Sequence, residues 1–168
     1  NPPAKAYESI KFRPAQGNVS DYNVGNCADH CLMRIEEMYF ILAEATAQVE
    51  GLSQGKQKLE EFVQKYRDPE FKCGANSLEN FLVDDLLYQK RIEFWGEGIL
   101  IYDYKRLNGG IERGYSGTNQ APAYRFNCTG RSPQWNIVIA RGEYQSNTGV
   151  TEELNNPDPT DKIEQWLE

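Results

Sequence analysis

The sequence predicts a mainly α fold: tetratricopeptide-like helical hairpins carrying long irregular loops. Three observations predict it. Apolar residues recur at helical spacing from Cys31 to Leu107, and the breaks between these runs are short. Beyond Gly110 the period dissolves into a stretch rich in Gly, Asn, Ser and Tyr.

Each element follows from its residues. Residues 1–30 hold few periodic apolar positions and many turn formers (Pro14, Gly17, Asn18, Gly25, Asn26), so they read as an irregular lead-in, with a short strand expected at Lys11-Phe12-Arg13. From Cys31, the positions Leu32, Ile35, Met38, Tyr39, Leu42, Ala45 and Val49 share one helical face, which is the expected buried face, and Gly51 stops the run. A second helix is expected over Lys56–Tyr66, burying Leu59, Phe62, Val63 and Tyr66. It reaches the first through a connection around Leu52-Ser53-Gln54, giving an antiparallel hairpin. Ser77 is a good N-cap for a third helix with Leu78, Phe81, Leu82, Leu86 and Gln89/Ile92 at core spacing. Gly96 and Gly98 interrupt it. A shorter fourth helix then carries Ile99, Ile101, Tyr102 and Leu107 and ends at Asn108-Gly109-Gly110. These runs form a helical body at 31–107 within a single domain of 1–168. Residues 108–168 are long loops and tail, with Asn136–Arg141 as a strand or extended segment, turn formers over Gly142–Asp161 and one terminal helical turn at Asp161–Leu167.

Composition narrows the function classes. A chain of 168 residues can bury roughly 68–70% of its unfolded surface. The mean hydropathy of −0.70 suits a protein with much exposed loop, and no apolar run nears the ~20 residues that span a bilayer. The net charge is −7, and no basic run exceeds Lys90-Arg91 or Lys105-Arg106. Phosphate-backbone binding needs concentrated positive charge, so nucleic acid is excluded as a partner.

Catalytic chemistry finds little footing. The single histidine, His30, has no supporting nucleophile arrangement. Among the acidic pairs only Glu93 and Glu97 stack at i,i+4, and Lys90 and Arg91 beside them favour salt bridges over a cross-cleft acid pair. Cys27, Cys31, Cys73 and Cys128 leave three readings open: zinc bound at Cys27-Ala28-Asp29-His30-Cys31 with Cys73 or Cys128, a disulfide, or free thiols. Asn18-Val19-Ser20 and Asn127-Cys128-Thr129 match the glycosylation acceptor pattern.

The loop from Tyr115 to Trp135 stands out. Sugars present an apolar C–H face and a rim of hydroxyls, which calls for flat aromatics beside amide and guanidinium groups. This loop supplies both. Tyr115, Asn119, Tyr124, Arg131 and Trp135 are the expected ligand-binding residues; no catalytic residue, metal ligand or cofactor is assigned.

Four motifs in order resemble the C-terminal half of the SusD/RagB family of cell-surface nutrient-binding lipoproteins. Arg34, Glu37, Tyr39 and Ala43-Glu44-Ala45 match R-x-x-E-x-Y…A-E-A. The run Gln89 to Gly98 keeps Arg91, Glu93, Glu97 and Gly98 of E-R-R-x-E-L-x-x-E-G. Asp103 and Arg106 match D-L-x-R, and Ile139, Glu143 and Asn147 match I-P-x-x-E…N. Gln89, Lys90, Leu100 and Ala140 depart from the family's usual residues. The resemblance covers Cys31 to Thr148 and implies a SusD-like α-helical fold, here as a C-terminal fragment. It also implies a non-enzymatic binding protein at the outer-membrane surface, anchored by a lipid outside this chain. That protein would capture oligosaccharide, or peptide as some relatives do, for a SusC-like TonB-dependent barrel transporter. A fragment of this kind is expected to bind oligosaccharide weakly by itself. The motif residues Arg34, Glu37, Arg91, Glu93, Glu97 and Asp103 are then expected to act as interhelix ion pairs and caps. The alternative without the family is a tetratricopeptide-like scaffold for a protein partner.

Overall fold

The helices form where the period places them, but the first turns a different face inward. A computed structural model of the chain describes residues 11, 20, 23, 32–131 and 135–156. The fold is mainly helical. Two compact units divide it, residues 1–37 and residues 38–168. In the first unit, Arg34 pairs with Glu36 at 3.3 Å. Of the strand expected at 11–13 only Lys11 is described, in a turn. Cys27, His30, Cys31 and the expected turn at 161–167 lie outside the described residues.

Helix α1 (Ile35–Val49) buries Phe40, Ala43, Thr46 and Ala47. The face expected to be buried is exposed instead: Leu42 is 50% and Val49 85% accessible, and Leu32, Ile35, Met38, Tyr39 and Ala45 are also exposed. The physical reason lies in helix α2 (Leu52–Tyr66), which starts at Leu52 rather than Lys56. At Gly55 the two backbones nearly touch, since a Cβ there would sit 2.3 Å from the Ala47 Cβ. Only a face of small residues permits that approach, so Ala43 and Ala47 turn inward and the bulkier stripe turns out. Phe40 then meets Phe62 and Phe94 edge-on, with ring centroids 5.2 and 5.5 Å apart. Leu59, Phe62 and Val63 of α2 are buried as expected, whereas Tyr66 is 46% exposed at the rim.

Helix α3 occupies residues 78–93. Ser77 caps it by accepting the Asn80 N–H at 3.2 Å. It opens as an α turn (Leu78–Asn80), widens into a π segment (Phe81–Leu87) and resumes as α (Tyr88–Glu93). The wider turn accommodates an extra residue and rotates everything after it. Consequently Lys90 and Phe94 face inward, while Ile92, expected in the core, is exposed; Leu78, ahead of the π segment, is exposed as well. Gly96 and Gly98, both at positive φ, end this rod and release the chain into α4 (Leu100–Arg106). On α4 it is Ile99 and Leu100 that pack against the core, not Ile101 and Tyr102.

Charge ties three helices together. Lys90 of α3 pairs with Asp103 of α4, each residue 6% exposed. Asp103 also accepts Arg106 at 2.6 Å, and Arg106 forks onto Glu44 of α1. Thus the A-E-A motif and the D-x-x-R motif meet in one network. Glu93 takes Arg67, the residue that follows α2, in two bonds, at 2.6 and 3.0 Å, in place of the expected Lys90 and Arg91. Arg91 forms no ion pair among the described residues.

Polar side chains also hold the connection between α2 and α3. Asp85 accepts the N–H groups of Gly74 and Ala75, Glu60 accepts that of Cys73, and Lys56 donates to the Ala75 carbonyl. These bonds satisfy backbone groups that would otherwise be lost on burial. Burial, then the Asp85 and Glu60 carboxylates, push the Cys73 thiol up to about 12.

After α4 the chain pairs two short strands not legible in the sequence, β1 (Ile111–Glu112) and β2 (Asn127–Cys128), antiparallel with Ile111 opposite Cys128. Residues 137–140 join no strand. Asn155 brackets them by accepting the Ile139 N–H at 2.7 Å and donating to its carbonyl at 3.0 Å. Helix α5 (Arg141–Ser146) stands where turns were expected.

Candidate functional site

The β pair would be marginal in isolation, since two strands of two residues bury almost nothing. Asn127 reinforces it. Its Oδ1 accepts the N–H groups of Arg113 and Gly114 at 3.0 and 2.9 Å, and its Nδ2 donates to the Gly114 carbonyl at 2.9 Å. The side chain therefore continues the ladder by one residue pair. The same bonds occupy the amide of the glycosylation pattern Asn127-Cys128-Thr129. Asn108, at φ 53, accepts the Arg131 N–H at 2.9 Å and fixes the other end of the loop.

Between this pair, α4 and the last turn of α3 lies a cleft of about 1070 Å³. One wall is aromatic: Tyr104 and Trp135 meet edge to face, with centroids 5.3 Å apart and planes at 87°. Tyr115 and Ile101 also line the cleft. Polar groups line the rest, namely Arg91, Arg113, Glu112, Gln120 and Asn127. Arg113 lies over the Phe126 ring, its guanidinium carbon 5.1 Å from the centroid.

The structure thus brings two of the five expected binding residues together, Tyr115 and Trp135. The other three do not line the cleft. Asn119 and Tyr124 are exposed on the outer loop, Tyr124 in the 3-10 turn Pro122–Tyr124. Arg131 bonds the Asn136 side chain at 3.1 Å. Tyr104, Arg91 and Arg113 are cleft residues that the sequence reading did not single out for binding. One signal was available for Arg91: no carboxylate stands three or four residues away on its helix, so it lacks a local partner.

Cys73 and Cys128 are both thiols, with Cys73 in the core and Cys128 on the cleft wall. Among the described residues no group of three potential ligands gathers.

The model of the SusD family matches residues 5–165. The chain belongs to the SusD family. The match extends past the Cys31–Thr148 span that the motifs covered, taking in most of the lead-in and the acidic tail. The family is one of nutrient-binding, generally non-enzymatic proteins of the outer-membrane surface. Neither the curated proteins nor the solved structures gave a match. Among the described residues no helix is long and apolar enough to cross a membrane.

Proposed function

We propose that this chain captures an oligosaccharide in the cleft beside the β pair and passes it to a TonB-dependent barrel transporter at the cell surface. The observation that carries this reading is the edge-to-face Tyr104–Trp135 pair set among amide and guanidinium groups in an open cleft. A half-buried indole held by a second ring presents a rigid face on which a pyranose can stack, at little entropic cost. Gln120, Asn127 and the two arginines supply hydrogen bonds to hydroxyls. No covalent step is involved; release follows from the weakness of such contacts. The long excursion of residues 108–156 also favours this reading over a repeat scaffold, which prefers short loops.

Tryptophan fluorescence, titrated with a panel of neutral and acidic oligosaccharides and with peptides of similar mass, tests it. Saturable quenching by sugars is expected, with Kd near the millimolar range, about −4 kcal/mol. Trp135→Ala should weaken it about tenfold or more, ~1.4 kcal/mol. Saturation by peptides alone, or quenching indifferent to Trp135, would rule the sugar reading out. The transporter half is checked separately, by recovery of the barrel with the full-length protein from detergent-solubilised membranes.

A further inference from the structure

The cleft is electrostatically at odds with the rest of the molecule. The chain carries a net charge of −7, yet the charged side chains lining the cleft are Arg91, Arg113 and Glu112, an excess of positive charge. Outside the cleft Arg125 and Arg131 bond the Gln120 carbonyl and the Asn136 side chain, and three guanidinium groups are committed to carboxylates: Arg34 to Glu36, Arg67 to Glu93, and Arg106 to Glu44 and Asp103. Arg91 and Arg113 are not. Neither has an ion-pair partner among the described residues, where the Arg113 guanidinium lies over the ring of Phe126. Arg91 and Arg113 are both exposed in a protein with carboxylates to spare. Glu112 cannot neutralise both.

We infer that this cleft selects an acidic oligosaccharide, one whose sugars carry carboxylate or sulfate groups. The inference rests on the sugar-binding reading above and names the class of sugar. Guanidinium is the side chain best matched to a planar or tetrahedral oxyanion, because its N–H donors form a fixed fork that meets two oxygens at once. Two such forks beside a stacking indole suit a chain of sugars in which charged groups flank an apolar ring face. The acidic remainder of the surface repels a polyanion, so the ligand is steered into this one cleft. A neutral oligosaccharide would leave both guanidinium groups without an anionic partner.

The test uses matched ligands that differ only in charge. Galacturonic acid oligomers are titrated against their methyl esters, and sulfated oligosaccharides against their desulfated counterparts, on the full chain by tryptophan fluorescence and calorimetry. At least one acidic form should bind about tenfold more tightly than its neutral partner, and whichever arm does so identifies the oxyanion. Raising salt from 0.05 to 0.5 M should shrink that preference. Arg91→Gln and Arg113→Gln, both at exposed sites, should each reduce it several-fold, weakening the acidic form several-fold more than the neutral one, with the circular dichroism spectrum unchanged. Arg113→Lys should recover only part, since charge is kept and the fork is lost. Equal binding of acidic and neutral forms, with Trp135 still required, would overturn this inference and leave the sugar reading standing. A preference that survives both glutamine variants would also overturn it. Binding by neither form would sink both.

Discussion

The helical body, residues 38–106, and the loop region, residues 108–156, are held together by different means. In the body, helices satisfy their own backbone groups, and side chains are free to bury: Phe40, Leu59, Phe81, Leu86 and Phe94 are each 1% exposed or less. Buried charge is tolerated there because Lys90, Asp103, Arg106 and Glu44 complete one another. Among the described residues of the loop region none joins the buried apolar core. Its backbone is satisfied by asparagine side chains instead, with Asn108, Asn127 and Asn155 each bonding distant main-chain groups. A framework pinned at so few points leaves most intervening side chains facing solvent, and there recognition can be built without disturbing the fold.

Breaking the body should therefore cost far more than breaking the loop. The largest effect is expected from Asp103→Ala, which strands the buried Lys90 and releases Arg106. A loss of about 3–5 kcal/mol in urea-unfolding free energy is anticipated, and Lys90→Met combined with Asp103→Leu should recover most of it. If the single variant lost under 1 kcal/mol, the network would be decoration. Next comes Gly55→Val, which drives a side chain into the Ala47 backbone. A cost of about 1–3 kcal/mol is expected, and Ala47→Gly should relieve part of it.

In the loop region, Asn127→Ala removes three hydrogen bonds, yet the loss should be local, about 1–2 kcal/mol. Hydrogen exchange would then accelerate at Arg113 and Gly114 and stay unchanged across α1 to α3. Acceleration throughout the body would show that the two regions are one cooperative unit.

A further effect is visible only in alkali. The Cys73 thiol is held up to about 12 against an ordinary 9.0. Between those values the unfolded chain loses this proton and the folded chain keeps it. The contribution of Cys73 is thus fully present below pH 9 and declines as pH rises towards 12. Cys73→Ser should flatten that decline in a stability–pH profile above pH 9. Peptide mapping after alkylation of the folded protein at pH 8 should find Cys73 protected and the half-buried Cys128 modified.

How much of this was written in the chain differs between the regions as well. The N-cap at Ser77 and the stops at Gly51, Gly96 and Gly98 were legible, since they act through local backbone geometry, whereas the start of α2 at Leu52 and the whole of α5 were not. The family motifs were legible too, as an ordered set. The inward face of α1 was not: both of its sides are apolar, and only the approach of Gly55 to Ala47 chooses between them. The π segment was equally silent, because one extra residue in a turn leaves no mark on composition and still reassigns Ile92 and Lys90 between surface and core.

The sequence by itself determined a mainly helical protein of the SusD family, with an aromatic and amide-rich excursion after Gly110. Periodicity and caps are properties of neighbouring residues, and these survive without a fold. Only the tertiary structure decided which charges marry, with Glu93 to Arg67 and Asp103 to Lys90, and which aromatics converge, with Trp135 on Tyr104 and away from Tyr124. Those pairings join residues far apart along the chain, and their free energy exists only once the packing of the whole brings them within reach.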